Sequence, residues 1–390
     1  MANGTKRNRI RVGAGVCATA ALLLVAGTPA AAQDEVAPAL PRVAPALSGD
    51  TCTGPSEEVV DQEVWTEYAL GLPRARSTSS GAGTTVAIVG TGVDDSSAAL
   101  AGAVDGAGED CTGFGTFLAG VVAARPQPGS ALVGVAPEAR VSSVPVTDDR
   151  GLTDADAVAE GITEAVGDGA DIVLVAVAIP LGSPELDAAV DTATEADVLV
   201  VAPSTAVVRG DVHAAVPATR TEVLGVVATG TDGSPLNAVP ASGEEGRFSA
   251  PDLAAPGQAV LGPAPGGDGH AVAEGDAVAA AFVAGAAALV RSHHPELDAA
   301  RTAERLTVSA YPDAGAGLGA GALDPVGALT RTLGPVSSGE GPGTESFALD
   351  LPAEPTRGRV LAVLGGTVLL VAVCGVGAAA VRRRRGTTPA

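Results

Sequence analysis

EGDAVAAAFVAGAAALVR, residues 274–291, is the stretch on which the fold turns. Gly275 leads it, and from Ala277 to Val290 it carries no polar side chain at all. Alanine is the strongest helix former, so the run is expected to be a helix. A helix that is apolar all round has no face to give to water and is buried. Asp276, at the positive end of the helix dipole, is expected to cap it.

Outward from this helix the chain alternates. Apolar strand-like runs stand at 84–90, 140–146, 171–179, 197–202 and 222–229, and helical patterns at 113–124, 154–167, 185–195 and 298–309. Continuous apolar strands separated by helices predict a mostly parallel sheet covered on both faces, an α/β fold. Before it, residues 57–72 predict a short helix carrying Trp65 and Tyr68, followed by a Ser/Gly loop at 77–83. Aromatic residues make up only 2% of the chain, so the core has to be built from Val, Ala and Leu.

The two ends read as targeting segments. A basic region (Lys6, Arg7, Arg9, Arg11), an apolar run and Ala30–Ala32 have the form of a secretory signal peptide over residues 1–32. Residues 33–80 comprise a Pro-rich arm and the short helix, 81–333 the main domain, and 334–358 a flexible Gly/Pro/Ser-rich linker. Residues 359–381 read as a transmembrane helix, because Val360 to Val381 carry no charge and can cross a hydrocarbon core of ~30 Å. Arg382–Arg385 open a basic tail, 382–390, expected in the cytoplasm, with the main domain outside.

With those terminal basic residues set aside, 15 of the 23 Lys and Arg face 45 acidic residues, which argues against nucleic acid as a partner. Of four cysteines, Cys17 lies in the signal segment and Cys374 in the apolar span. Cys52 and Cys111 are the remaining pair. In an oxidising compartment they are expected to form one disulfide, worth ~4 kcal/mol on a chain-entropy estimate. Metal-ligand spacing is absent from the sequence, and no cofactor is implied.

Four motifs in order give the chain a family resemblance. VAIVGTGVDD (86–95), DCTGFGTFLAGVVAA (110–124), VLVVAPST (198–205) and the helix at 274–291 resemble the segments of subtilisin-like serine proteases that carry Asp, His, the oxyanion Asn and Ser. The finer similarity is to mycosins, the membrane-anchored members associated with type VII secretion in actinobacteria. It extends through GVAPEARV (134–141), FSAPDLAAPG (248–257), HHPELDAARTAERL (293–306) and ALDPVGAL (322–329). The resemblance implies a subtilisin-like three-layer fold with a mostly parallel central sheet, plus the C-terminal membrane helix. It also implies a disulfide at Cys52 and Cys111.

At the triad positions this chain carries Gly90, Phe114 and Ala277, and Thr205 aligns with the oxyanion Asn. None of the first three can act as nucleophile, base or orienting carboxylate. In subtilisin, loss of the whole triad costs on the order of 10⁶ in turnover. The expectation is a membrane-anchored extracytoplasmic pseudoprotease, structural or peptide-binding, linked to a type VII secretion membrane complex. The alternatives are a serine endopeptidase with a relocated site, or a cell-surface binding module unrelated to secretion. For a relocated site the histidines are His213, His270, His293 and His294, with Ser242 and Ser249 upstream of His270. His270 is expected to be a solvated loop residue, and His293 and His294 to end a helix, where a cationic side chain suits the dipole. Asp94 and Asp95 are expected in a solvated turn, and Phe114 and Phe117, three apart on one helix, as packing.

Overall fold

The structure, a computed structural model, describes residues 40–237, 250–312 and 317–332. The signal segment, linker, membrane span and basic tail expected from the sequence lie outside the described residues, as do Ser242 and Ser249. Among the described residues no helix is long and apolar enough to cross a membrane.

Seven parallel strands form the central sheet: β1 (Thr85–Gly90), β2 (Val104–Asp105), β3 (Arg140–Pro145), β4 (Ile172–Val175), β5 (Leu199–Pro203), β8 (Leu224–Thr229) and β9 (Leu253–Pro256). Their spatial order is β2-β3-β1-β4-β5-β8-β9. Two antiparallel hairpins stand apart, β6 (Thr205–Val208) with β7 (Asp211–Ala214), and β10 (Val260–Pro263) with β11 (His270–Ala273). The helices are α1 (Trp65–Ala69), α2 (Leu72–Thr78), α3 (Phe114–Ala123), α4 (Ala155–Gly167), α5 (Pro184–Glu195), α6 (Asp276–His293), α7 (Ala299–Ser309) and α8 (Pro325–Thr330).

Strand alternation builds two cores. Val86 and Ile88 of β1, Ile172 and Leu174 of β4, and Leu199 and Val201 of β5 face one way, against α3 and α6. Ala87, Val89, Val173, Val175, Val200 and Ala202 face the other way, against α4 and α5. This is the three-layer arrangement that parallel strands buried on both faces require.

Every residue of α6 from Asp276 to Val290 is buried. Its glycine has a packing reason: a Cβ at Gly285 would lie 2.6 Å from Cβ of Val135. The outer helices start on side-chain caps, Asp154 accepting from Ala157 N–H, Ser183 from Leu186 N–H and Asp298 from Arg301 N–H.

The N-terminal part departs from expectation. The helix expected over 57–72 is confined to Trp65–Ala69, and α2 runs through Ser77 and Thr78, where a loop was expected. The cause is backbone pairing elsewhere. Glu58 C=O accepts from His270 N–H, Val60 N–H donates to the His270 ring, and Val60 C=O accepts from Ala131 N–H. These bonds hold residues 58–60 extended, leaving the helix to begin at Trp65.

Candidate functional site: a cavity at the carboxyl ends of the strands

In the strand order, β1 lies between β3 on one side and β4 on the other, so the chain builds β2 and β3 on one side of it and then crosses to build β4 and β5 on the other. Such a switch point opens a crevice beyond the carboxyl ends of the strands. A cavity of about 420 Å³ lies there. Ala176–Ile179 after β4, Pro203 at the end of β5, and Thr205 and Val207 of β6 form part of its wall. Phe114, the first residue of α3, and Gly275, Asp276 and Ala277 at the start of α6 complete the inner end. Pro45, Ala46 and Gly151–Thr153 close the opposite side.

The three positions at which the resemblance places the triad converge on this cavity. Phe114 and Ala277 line it directly. Gly90 ends β1 behind Ala176, and a Cβ on Gly90 would lie 2.7 Å from Cβ of Ala176, which does line it. Phe114 and Phe117 part company: Phe114 borders the cavity, whereas Phe117 packs into the core on Gly262 of β10, whose added Cβ would meet its ring at 2.5 Å.

Thr205 and Asp276 form one buried network. Asp276 Oδ2 accepts from Thr205 N–H at 2.9 Å and from Thr205 Oγ1 at 2.6 Å, and Oδ1 accepts from Ala228 N–H at 2.8 Å. Thr205 Oγ1 in turn accepts from Asn237 Nδ2 at 3.1 Å. The hydroxyl proton of Thr205 is therefore directed at the carboxylate, and Thr205 has none left for an oxyanion. Burial raises the Asp276 pKa above the usual carboxylate value, against the pull of the Thr205 and Ala228 hydrogen bonds.

The expected cap is not made. Gly275 is the residue before the first turn of α6, with no side-chain cap, and Asp276 turns away from the helix toward β6 and β8. Three buried donors beyond the helix compete for this carboxylate and win. Asn237 belongs to the site and escaped the sequence reading, because it lies 32 residues after its Thr205 partner, in a segment with no periodic pattern.

The other motif residues serve the same corner structurally. Buried Asp110 accepts from Gly113 N–H and Thr116 N–H and from the hydroxyls of Thr112 and Thr116, fixing the start of α3. Burial raises its pKa, opposed by those bonds. Asp94 and Asp95 are half-buried rather than freely solvated, and Asp94 Oδ2 accepts from Gly266 N–H. Both border a second cavity, of about 770 Å³, together with Glu109, Asp110, Asp148 and Asp149. Among the described residues no group of side chains is arranged to hold a metal ion. Cys52 and Cys111, also on its rim, are joined by a disulfide.

His270 is buried in β11 and not a solvated loop residue. Its Nε2 lies 3.1 Å from Ser130 Oγ. Such a pair is the raw material of a hydrolytic dyad, but its protonation is the wrong way round. Nδ1 accepts from Val60 N–H at 2.9 Å, so the single ring hydrogen of neutral His270 is assigned to Nε2 and points at Ser130. A base must offer that nitrogen's lone pair to the serine. Neither residue borders either cavity. His213 is exposed on β7, and His293 and His294 stand at the end of α6 as expected.

Residues 81–331 match the Peptidase S8 profile of the subtilase family, and the chain belongs to that family. Within it the similarity runs to mycosins. Mycosin-1 of Mycobacterium tuberculosis is 30% identical over 82% of this chain and 84% of its own. A solved serine protease MycP1, an essential component of the type VII (ESX-1) secretion system, is 26% identical with a TM-score of 0.60, over 76% of this chain and 97% of that one. A chain of the periplasmic assembly from the ESX-5 inner membrane complex is 25% identical with a TM-score of 0.63, over 82% and 97%.

Proposed function

We propose that this chain is a membrane-anchored, extracytoplasmic mycosin-type subtilase without peptidase activity, acting as a structural or peptide-binding part of a type VII secretion membrane complex. The observation that carries the reading is the composition of the cavity where the family's chemistry would sit. Its described walls contribute Phe114 and Ala277, and no Ser, Cys, His or Lys side chain. Acyl transfer requires a nucleophile whose proton a neighbouring base can take. The buried polar groups of the inner end, Thr205 and Asp276, are engaged with one another and with Asn237.

The electrostatics favour the same reading. Asp276 beside Ala277 has its carboxyl oxygens taken up as acceptors by Thr205 and Ala228, where active sites place donors aimed at the developing negative charge. The link to secretion rests on the relatives: the solved MycP1 belongs to an ESX-1 system and the other matched chain to an ESX-5 membrane assembly. Anchoring rests on the uncharged run Val360–Val381 followed by Arg382–Arg385.

A fluorophosphonate probe tests the central statement. Full-length protein in detergent is expected to show no covalent labelling. Labelling that is lost on a single Ser→Ala change would establish a relocated serine enzyme and overturn the reading. Affinity purification from solubilised membranes tests the partner, with co-purification of secretion-complex subunits expected. Their absence would favour a surface module unrelated to secretion.

A further inference from the structure

Asp276 is 5% exposed and borders the 420 Å³ cavity, yet among the described residues it has no cationic partner. Its hydrogen-bond donors, Thr205 N–H, Thr205 Oγ1 and Ala228 N–H, are all uncharged. Bonds of this kind orient a carboxylate and solvate it in part, but they leave its charge in place. Burial raises its pKa against their pull, as it does for a charge held without a counter-ion. The described walls contribute no Lys, Arg or His side chain. Glu274, the other carboxylate of the lining, is exposed and already paired with Arg42 at 3.0 Å.

The acceptor capacity that remains has a definite shape. A carboxylate offers about four lone-pair sites. Oδ2 of Asp276 accepts twice and Oδ1 once, so one site is left, on Oδ1. One hydroxyl away, Asn237 borders the same cavity and donates its Nδ2 to Thr205 Oγ1, while its Oδ1 accepts from no described residue. The way in is apolar, with Phe114, Val177, Ile179 and Val207 among the walls. An aliphatic stem ending in a compact cation matches that order of surfaces, walls against the stem and oxygens at its tip. A guanidinium matches it poorly. It pairs with a carboxylate through two parallel N–H bonds, and Oδ2 has no site left for one of them.

We infer that the cavity is a receptor for the lysine side chain of a bound peptide, with Asp276 as the counter-ion and Asn237 Oδ1 as a second acceptor for the ammonium. This rests on the peptide-binding reading of the cavity, and it names the class of peptide. At 420 Å³ the cavity has the size of a small-ligand site, about 300–1,000 Å³. The excess of 45 acidic over 23 basic residues adds a longer-range attraction for cationic segments.

Blocked amino-acid amides that cannot be cleaved test the assignment. Nα-acetyl methylamides of lysine, norleucine and arginine are titrated into full-length protein in detergent, near neutral pH and at physiological ionic strength. Binding is followed by saturation-transfer NMR, with protein-free detergent as the blank. The lysine probe is expected to bind at least about tenfold more tightly than either of the others. Asp276→Asn is expected to bring it down to the norleucine level.

Because that change touches a buried network, Val207→Lys supplies an independent check. Val207 is 58% exposed, so the fold does not depend on it. A cation at this wall is expected to weaken the lysine probe about threefold and to leave the norleucine probe unchanged. Equal binding of lysine and arginine, lysine binding that survives in a folded Asp276→Asn protein, or no effect of Val207→Lys would mean general attraction to an acidic surface and overturns the inference. Binding of none of the probes overturns it as well, and leaves the structural role of the chain standing. Fluorophosphonate labelling is a separate readout. Labelling alongside intact lysine selectivity overturns the pseudoprotease reading alone.

Discussion

The cavity behind Ala277 and the junction around His270 make an instructive pair. At the first, the motif positions of a protease meet in one place but present a phenyl ring and a methyl group. At the second, a serine and a histidine touch at 3.1 Å, yet the histidine's accepting nitrogen is occupied by Val60 N–H. One corner has the location without the groups, and the other has the groups without the protonation state. Hydrolysis needs a lone pair aimed at a hydroxyl within a cleft that substrate can reach. Proximity of the right residue types is not enough, nor is inheritance of the right scaffold.

The largest expected effect comes from treating the first corner as core. Phe114 is 1% exposed, and Phe114→Ala is expected to destabilise the domain by about 3–5 kcal/mol, measured by denaturant unfolding. A change under about 1 kcal/mol would mean that the ring is a loosely held occupant of the cavity, and that the corner is still a site.

The second corner makes a smaller, pH-dependent contribution. Burial lowers the His270 pKa below 6.5, so the neutral ring is favoured in the folded state. Its stabilisation is complete above pH 6.5, the unfolded value, and is lost as pH falls below that toward the folded pKa. Protonation would also put a hydrogen on Nδ1, against Val60 N–H. His270→Asn retains an acceptor and cannot titrate. Compared with the parent, it is expected to lose less stability on acidification. Identical slopes in the two proteins between pH 7 and 5 would show that the junction does not sense protons.

The smallest effect is the most pointed. Ala277→Ser restores the hydroxyl on α6 but not the base, and leaves Asp276 beside it. It is expected to change stability by under about 1 kcal/mol and to yield no hydrolysis of peptide ester substrates above background. Hydrolysis by this single variant would erase the distinction between the two corners.

The layers were legible because they follow from periodicity. Runs of Val, Ile and Leu at 84–90 and 197–202 and the all-apolar 277–290 announce buried parallel strands and a buried helix, and those elements are where they were expected. The motif positions were legible because small residues at fixed spacing are costly to change: a Cβ at Gly115 would lie 2.0 Å from the Gly92 carbonyl oxygen, and one at Gly120 would lie 2.1 Å from Pro263. What was not legible depends on partners far along the chain. His270 and Val60 are 210 residues apart, and Asp276 and Thr205 are 71 apart. Nothing in GGDGHAVAEGD says that its histidine is swallowed by an N-terminal segment. Nothing in EGDAVAAA says that three donors from two other strands claim the carboxylate before the helix can.

Gly90 has a historical consequence. The space its side chain would take is held by the Cβ of Ala176, 2.7 Å from where a new atom would stand. That carbon is fixed to the backbone beyond β4 and cannot swing aside. An aspartate at 90 therefore requires the neighbouring strand end to move, while an aspartate alone, facing Phe114 and Ala277, confers no activity for selection to keep. On the proposed reading of the cavity, the Gly90–Ala176 contact would act as a ratchet, and lineages carrying this pair are expected to diverge further rather than return.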